Sequence, residues 1–380
     1  MNNKKISKKN LTNIVTRLVK IPSENPPGRT EEIVNYLATQ VFDENEGFQN
    51  QILSYSKDDI LRHCLVSQIG NGKRKLVFSG HFDVVPPGDI SSWKYHPFSG
   101  QIEDGKLYGR GAADMKAGIT AIIGTIKNLK NESHLLEKYT LMFVGTTDEE
   151  VGMEGARILA EKGIMKDAEL LIITEPTNLQ IGIAQKGALW LVVQILGKAA
   201  HGSTPQKGTN AIEGTMKLIP NLYYCLSKKE NNLLGTSSLN IGKIKGGTAI
   251  NIVPEEVFLK LDYRLIPEED PNSIIEYVKN LDALPCKIKC EVLNQLPALL
   301  SKASHPFVQN LKKSSKSQLI GLNYATDAAR LIDLQKKIPF VIFGPGNPEV
   351  IHKVNEYVEL NQIFSAIEYL TNSLLKTYNN

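Results

Sequence analysis

The stretch VGTTDEEVGMEG, Val144 to Gly155, ends an apolar run in three adjacent carboxylates, Asp148, Glu149 and Glu150. Taken alone, such acids belong to the first turn of a helix, where they complement its dipole, and Thr147 or Asp148 caps the free amides. Other apolar runs end in the same way. KLVFSG (Lys75 to Gly80) leads into His81, with Asp83 two residues on, and ELLIIT (Glu169 to Thr174) leads into Glu175. PFVIFG (Pro339 to Gly344) is followed by the turn GPGNPEV and then by His352. A further acid, Asp114, sits in LYGRGAADMKAG, whose Gly109, Gly111 and Gly118 allow tight turns and close approach.

Oxygen and imidazole donors with no thiol among them suit hard-to-borderline divalent ions, Zn2+ most naturally, with Co2+ or Mn2+ as substitutes. The set is His81, His352, Asp114, Glu175 and one of the pair Glu149 and Glu150, with the other glutamate spare. Two ions with three protein ligands each need six places, so one carboxylate must bridge, and Asp114 is the expected bridge. The ions are then expected ~3.5–4 Å apart. Asp83, at i+2 from His81 on the same side of an extended segment, is expected to accept the second imidazole N–H and fix the ring.

These residues need strands to deliver them. KLVFSG, TLMFVG, ELLIIT and PFVIFG read as strands buried on both faces, separated in the earlier part of the chain by helical patterns at Ala117 to Leu129 and Glu154 to Glu161. The expected fold is α/β, a mixed and largely parallel sheet, with ligands at the carboxyl ends of its strands. LTNIVTRLVKI adds an amino-terminal helix with Leu11, Ile14, Val15 and Leu18 on one face. From about Gly187 to Leu300 the texture changes to half-exposed strands, ALWLVVQILG, SSLNIGKIKGG and EEVFLKLDYRLIP, with helices at Asn210 to Cys225 and Asn272 to Leu281. That predicts an inserted α+β unit of β-α-β-β-α-β order, residues 187–300, interrupting a catalytic domain made of 1–186 and 301–380.

At 380 residues two domains are expected, and 42% hydrophobic with 22% charged residues is a globular composition. The net charge of +4 is scattered. The short clusters at Lys4, Lys5, Lys8, Lys9 and at Lys312, Lys313, Lys316 are solvated surface and do not indicate nucleic acid. The glycine spacing around Asp114 is neither G-x-G-x-x-G nor a Walker pattern, so a phosphate cradle is not expected. No apolar segment has membrane-spanning length, and MNNKKISKKN is not followed by a signal-peptide core. Cys64, Cys225, Cys286 and Cys290 form no C-x-x-C pair, and reduced thiols in a cytoplasmic protein are expected.

At these residues the chain resembles the M20 metallopeptidase family, in the branch of succinyl-diaminopimelate desuccinylase and acetylornithine deacetylase. The resemblance runs through SGHFDVVPPGD, WKYHPFSGQIEDGKLYGRGAADMKAG, TTDEEVG, TEPT, GKAAHGSTP and IHKVNEYV. It implies one zinc on His81 and Glu175, a second on Glu150 and His352, Asp114 between them and Glu149 as general base. It also implies a dimerising lid, whose His201 reaches an active site on closure, that of the partner subunit. Asn251 in GGTAINIVP and Arg264 in LDYRLIP are implied to hold a substrate carboxylate, a task suited to the planar arginine fork. Thr326 and Gly346 are likewise placed on the substrate side.

The chain departs from close relatives in two stretches. NYATDAARL, Asn323 to Leu331, stands where a desuccinylase has a Gly-Thr-Ser-Asp run, and GPGNPEVIHK joins features of both branches. The expected reaction is amide hydrolysis beside a free carboxylate, with a metal-activated water deprotonated by Glu149 and an oxyanion stabilised by His201. N-succinyl-diaminopimelate is the leading substrate, with an N-acetyl amino acid such as acetylornithine or a small peptide as alternatives. Lys186 and Arg330 are candidate readers of a succinyl carboxylate, each also readable as an ordinary ion-pair residue. A non-catalytic binding relative is the rival class, and the retention of every ligand argues against it.

Overall fold

The computed structural model describes residues 5–336 and 338–379, so Lys4 of the amino-terminal basic cluster lies outside it. The chain divides into two compact units. The first takes the residues up to Ile183, Ser301–Ile320 and those from Thr326 on; the second takes Ala184–Leu300 and Gly321–Ala325.

At the centre of the first unit four strands run parallel: β1 (Arg74–His81), β2 (Tyr139–Thr146), β3 (Ala168–Ile173) and β4 (Phe340–Ile342), in the order β2-β1-β3-β4. These are the four apolar runs of the sequence. Every residue of β2 is buried, as is β1 from Leu76 on, so neither strand shows polar alternation. The flanks are antiparallel. Ile60–Ile69 joins β2, and Gln49–Lys57 folds back on it through a turn at Asp58 and Asp59, both at positive φ, where aspartate is tolerated. Beyond β4, Ile181–Gln185 returns antiparallel, with Gly182 opposite Ile342.

Helices cover this sheet. Ala117–Leu129 is buried on nearly all sides, and its Thr120 and Thr125 hydroxyls donate to carbonyls one turn back, so no polar group there is stranded. Lys8–Lys20 starts at a Ser7 cap and buries Leu11, Val15, Leu18 and Val19. Glu154–Glu161 has the bounds its pattern predicts.

The second unit is a four-stranded antiparallel sheet in the order Ser238–Gly246, Glu256–Leu265, Gly187–Leu196, Lys287–Leu296. With helices Ala211–Leu218 and Pro271–Lys279 it has the order β-α-β-β-α-β. Alternate residues of Glu256–Leu265 are buried, the mark of a sheet with one packed face. The first helix stops short of Cys225 because Pro220 lacks the N–H that would continue the ladder, and Ile219–Tyr223 tightens into a 3-10 turn. Gly321–Ala325 clusters here because Lys186 N donates to Leu322 O at 2.9 Å.

Candidate metal centre

The site lies in the first unit, at the carboxyl ends of its parallel strands. β1 ends on His81 itself, and β2 ends at Thr146, just before Thr147, Asp148, Glu149 and Glu150. β3 is followed by Thr174 and Glu175, and β4 by the Gly-Pro-Gly turn that leads to His352. Close backbone approach sets these ends. A Cβ on Gly118 would lie 2.0 Å from Thr174 O, and one on Gly344 would lie 2.3 Å from the same oxygen and 2.5 Å from Glu175 O. Only glycine lets the helix start and the turn close on Glu175.

Asp114 stands between the two histidines. Its Oδ1 lies 3.1 Å from His81 Nε2, and its Oδ2 lies 3.2 Å from His352 Nε2. His81 Nε2 is also 3.6 Å from Glu175 Oε1, and His352 Nε2 is 3.2 Å from Glu150 Oε2. Donor atoms of His81, Asp114 and Glu150 all lie within 4.8 Å of one another. Tetrahedral coordination with bonds of ~2.0–2.1 Å spaces its ligand atoms roughly 3.3 Å apart, close to these separations.

The electrostatics fit a cation. Burial alone would push His81 down, but Glu175, Asp114 and Glu149 outweigh it and raise the ring well above its ordinary value. Burial and neighbouring carboxylates drive Glu149 and Glu175 well up, while Asp114, facing both imidazoles, is held below the usual carboxylate range. His352 is raised to about 10 by Asp114 and Glu150. Four acids and two imidazoles that hold one another's protons form a cluster short of positive charge, which divalent ions would supply.

His81 Nδ1 lies 2.8 Å from the main-chain oxygen of Asp83, whereas the Asp83 carboxylate is 3.8 Å away. The ring is therefore steadied by residue 83 through its carbonyl. A carbonyl only accepts, so Nδ1 carries a proton, and Nε2 is the nitrogen that would give its lone pair to a metal in place of its own proton. The Asp83 carboxylate instead accepts the amides of Glu149 and Glu150, each at 3.3 Å, and Asn25 Nδ2 at 2.9 Å.

Asp148 is not a helix cap. It is fully buried with φ +63, and its carboxylate makes no capping hydrogen bond to the turn that follows. Its carboxylate receives Asn25 Nδ2 at 2.7 Å, Tyr55 OH at 2.9 Å and Arg62 Nε at 3.0 Å, with Lys57 Nζ at 3.4 Å. Asn25 thus bridges Asp148 to Asp83 and pins the turn that presents Glu149 and Glu150. Sequence reasoning missed Asn25, Tyr55 and Arg62, because SENPPG and an edge hairpin carry no pattern that announces a buried acid. It also missed Asp327, a buried carboxyl that accepts the Thr146 hydroxyl and that burial raises to about 6.

The remaining predicted residues divide between the units. Thr326 is buried in the first, where it opens the short helix Ala328–Leu331 by accepting Ala328 N at 3.3 Å. Gly346, at φ +104, has its N–H bonded to Gln362 Oε1 and its carbonyl to Asn178 N, both at 2.8 Å. Its amide is thus engaged within the fold, and its backbone sets the turn. Arg330 lies in the field of Arg157, Glu154 and Glu161.

His201, Asn251, Arg264 and Lys186 belong to the second unit. His201 is exposed, with Nδ1 2.7 Å from Ser203 Oγ, and its loop meets the Asn251 loop where Gly202 N donates to Asn251 O at 2.7 Å. Arg264 pairs with Asp262 at 2.9 Å, and Lys186 Nζ donates to Thr236 O at 2.6 Å.

The sequence profile of Peptidase family M20/M25/M40 matches residues 77–376. The chain belongs to this family. A probable succinyl-diaminopimelate desuccinylase of Staphylococcus aureus (strain MSSA476) is 31% identical to this M20 protein over 97% of its chain and 98% of the relative's. An acetylornithine deacetylase of Edwardsiella ictaluri (strain 93-146) is 32% identical over 81% of each. The fold is shared with an M20 family metallo-carboxypeptidase, Sso-CP2, from Sulfolobus solfataricus. The TM-score is 0.77 and the identity 21%, over 96% of this chain and 98% of that one. The M20 chain is thus a metallo-hydrolase acting on amide bonds. Among the described residues no helix is long and apolar enough to cross a membrane.

Proposed function

We propose that this M20 protein hydrolyses the amide of an N-acyl amino acid at a two-zinc centre, with N-succinyl-diaminopimelate the first substrate to try. The observation that carries the reading is Asp114, which turns one carboxylate oxygen to each histidine. His81 and Glu175 would hold one ion with Asp114, and Glu150 and His352 the other. Bound zinc would supply an acidified water and a polarised carbonyl.

The protein's own groups do the rest. Glu149, whose proton affinity is raised by burial and then by neighbouring acids, is suited to take a proton from the attacking water and pass it to the leaving amine. The amides that Glu149 and Glu150 donate to Asp83 hold this turn against β1. His201 as carbonyl donor, and Asn251 and Arg264 as holders of a substrate carboxylate, complete the proposal on the strength of the family resemblance, as does a homodimer. Fully active monomers in light scattering would remove the partner-subunit role of His201.

The substrate class is supported by the relatives named desuccinylase and deacetylase, which cover most of this chain. Amine release from a panel of N-succinyl and N-acetyl amino acids and dipeptides by zinc-loaded protein tests it. Turnover confined to acetyl substrates favours the deacetylase reading, and turnover confined to peptides a peptidase. Glu149→Gln should keep its metal and lose roughly 10^2- to 10^4-fold in turnover; a variant with normal turnover would remove Glu149 from the mechanism.

A further inference from the structure

Outside the ligands, Glu356 is a buried and heavily bonded acid near the site that no part of the mechanism uses. It is fully buried, and its Oε1 accepts the amides of Ala113 at 2.9 Å and Asp114 at 3.1 Å. Its Oε2 accepts Arg110 Nη1 at 2.6 Å, and its main-chain oxygen accepts Gly109 N at 2.9 Å. Arg110 is buried too, its guanidinium 5.2 Å from the Trp93 ring centroid, and Nη1 also reaches Lys353 O at 3.3 Å. All these bonds join two segments, 109–114 and 353–356. The first ends on Asp114; the second begins one residue after His352.

The histidines differ in what else holds them. His81 closes a buried strand, and Asp83 O holds its ring. His352 lies outside any strand, its side chain is 48% exposed, and its Nε2 faces Asp114 and Glu150. Its position relative to Asp114 therefore depends on how the two segments are tied. A buried carboxylate taking two main-chain amides and a guanidinium is well suited to that task, since each bond is charge-assisted.

We infer that Arg110 and Glu356 are a positioning pair that sets His352 against Asp114, so that the metal subsite of Glu150 and His352 depends on them far more than the subsite of His81 and Glu175, which shares only Asp114 with it. The inference rests on the two-metal reading above. Partners of this kind are commonly worth 10- to 100-fold in metal affinity.

The test is a calorimetric titration of chelator-stripped protein with Zn2+, with circular dichroism to establish folding. The wild-type chain should take up two ions, and His352→Ala should identify which binding event belongs to its subsite. A wild-type protein that binds one ion or none sinks the two-metal reading itself. In Arg110→Met/Glu356→Leu, which removes both buried charges at nearly constant volume, the His352 event should weaken 10- to 100-fold while the other stays within about 3-fold. In Arg110→Met/Glu356→Gln an oxygen remains for the two amides, so part of that loss should be recovered, the remainder being the share of Arg110. Two unchanged events in the folded leucine variant overturn the inference, and so does equal weakening of both. Should the leucine variant not fold, Glu356→Gln alone decides: the His352 event should weaken by roughly 3- to 10-fold, and unchanged binding overturns the inference.

Discussion

The two histidine sides of the centre are built differently. His81 and Glu175 come from the ends of adjacent parallel strands, β1 and β3, and their side chains are almost fully buried. His352 and Glu150 come from turns, and the His352 ring is nearly half exposed. A ligand on a strand end inherits its position from the whole sheet, whereas one on a turn needs dedicated bonds. The protein supplies such bonds twice: through Asn25, Arg62 and Tyr55 on Asp148, and through Arg110 on Glu356. Precision at a loop-borne ligand is thus built from buried polar networks, whose bonds are strengthened by the low-dielectric setting.

That contrast is broken most forcefully at the histidines. His81→Ala removes a buried ring as well as a ligand, so it should lose one ion and about 2–5 kcal/mol of apo-protein stability in urea melts. His352→Ala should also lose one ion, yet shift the apo-protein by no more than roughly 0.5–1 kcal/mol. Equal destabilisation by the two would erase the distinction. Next in size is chelation. Metal present at about a hundredfold over its dissociation constant contributes ~2.7 kcal/mol, so stripping it should lower the melting temperature measurably, and re-adding zinc should restore it.

Asp148→Asn sharpens the loop side. It keeps the shape but gives up the charge facing Arg62 and Lys57, at an expected cost of about 1.5–3 kcal/mol near neutral pH. Burial would raise this carboxyl, but hydrogen bonds from Asn25, Arg62 and Tyr55 and the Lys57 charge outweigh it and hold it low. A depressed carboxyl stabilises the fold fully above its unfolded value of ~3.9 and loses that contribution as pH falls through the lower folded value. Below about pH 4 the gap between wild type and Asp148→Asn should therefore narrow, as acid melts of the two would show. A constant gap would mean that the charge is not what matters there.

How much of this was legible depends on the physics of each element. The four central strands announce themselves because burial on both faces leaves uninterrupted apolar runs, and the ligands follow because chemistry collects where such runs end. Asp148 was read as a cap because adjacency in sequence cannot show that φ at that residue turns its carboxylate inward. Its partners, Asn25 and Arg62, lie far away in the chain. Glu356 lies within IHKVNEYV, but two of the three partners of its carboxylate are main-chain amides, which no residue type advertises. Asp83 was seen as the anchor of His81, yet the anchoring atom is its carbonyl, which any residue at that position would also carry.

The placement of the ligands along the chain has a consequence for biosynthesis. His81, Asp114, Glu150 and Glu175 all precede Ile183, so strands β1 to β3 and their donors are synthesised ahead of the second unit. His352 and Glu356 follow only after β4. A nascent chain can therefore gather the acidic half of the centre early, but must wait for the segment after β4 to receive the second imidazole and the carboxylate that ties it in place. Carboxy-terminal truncations that remove both should still form the early strands and should hold, at most, a single ion.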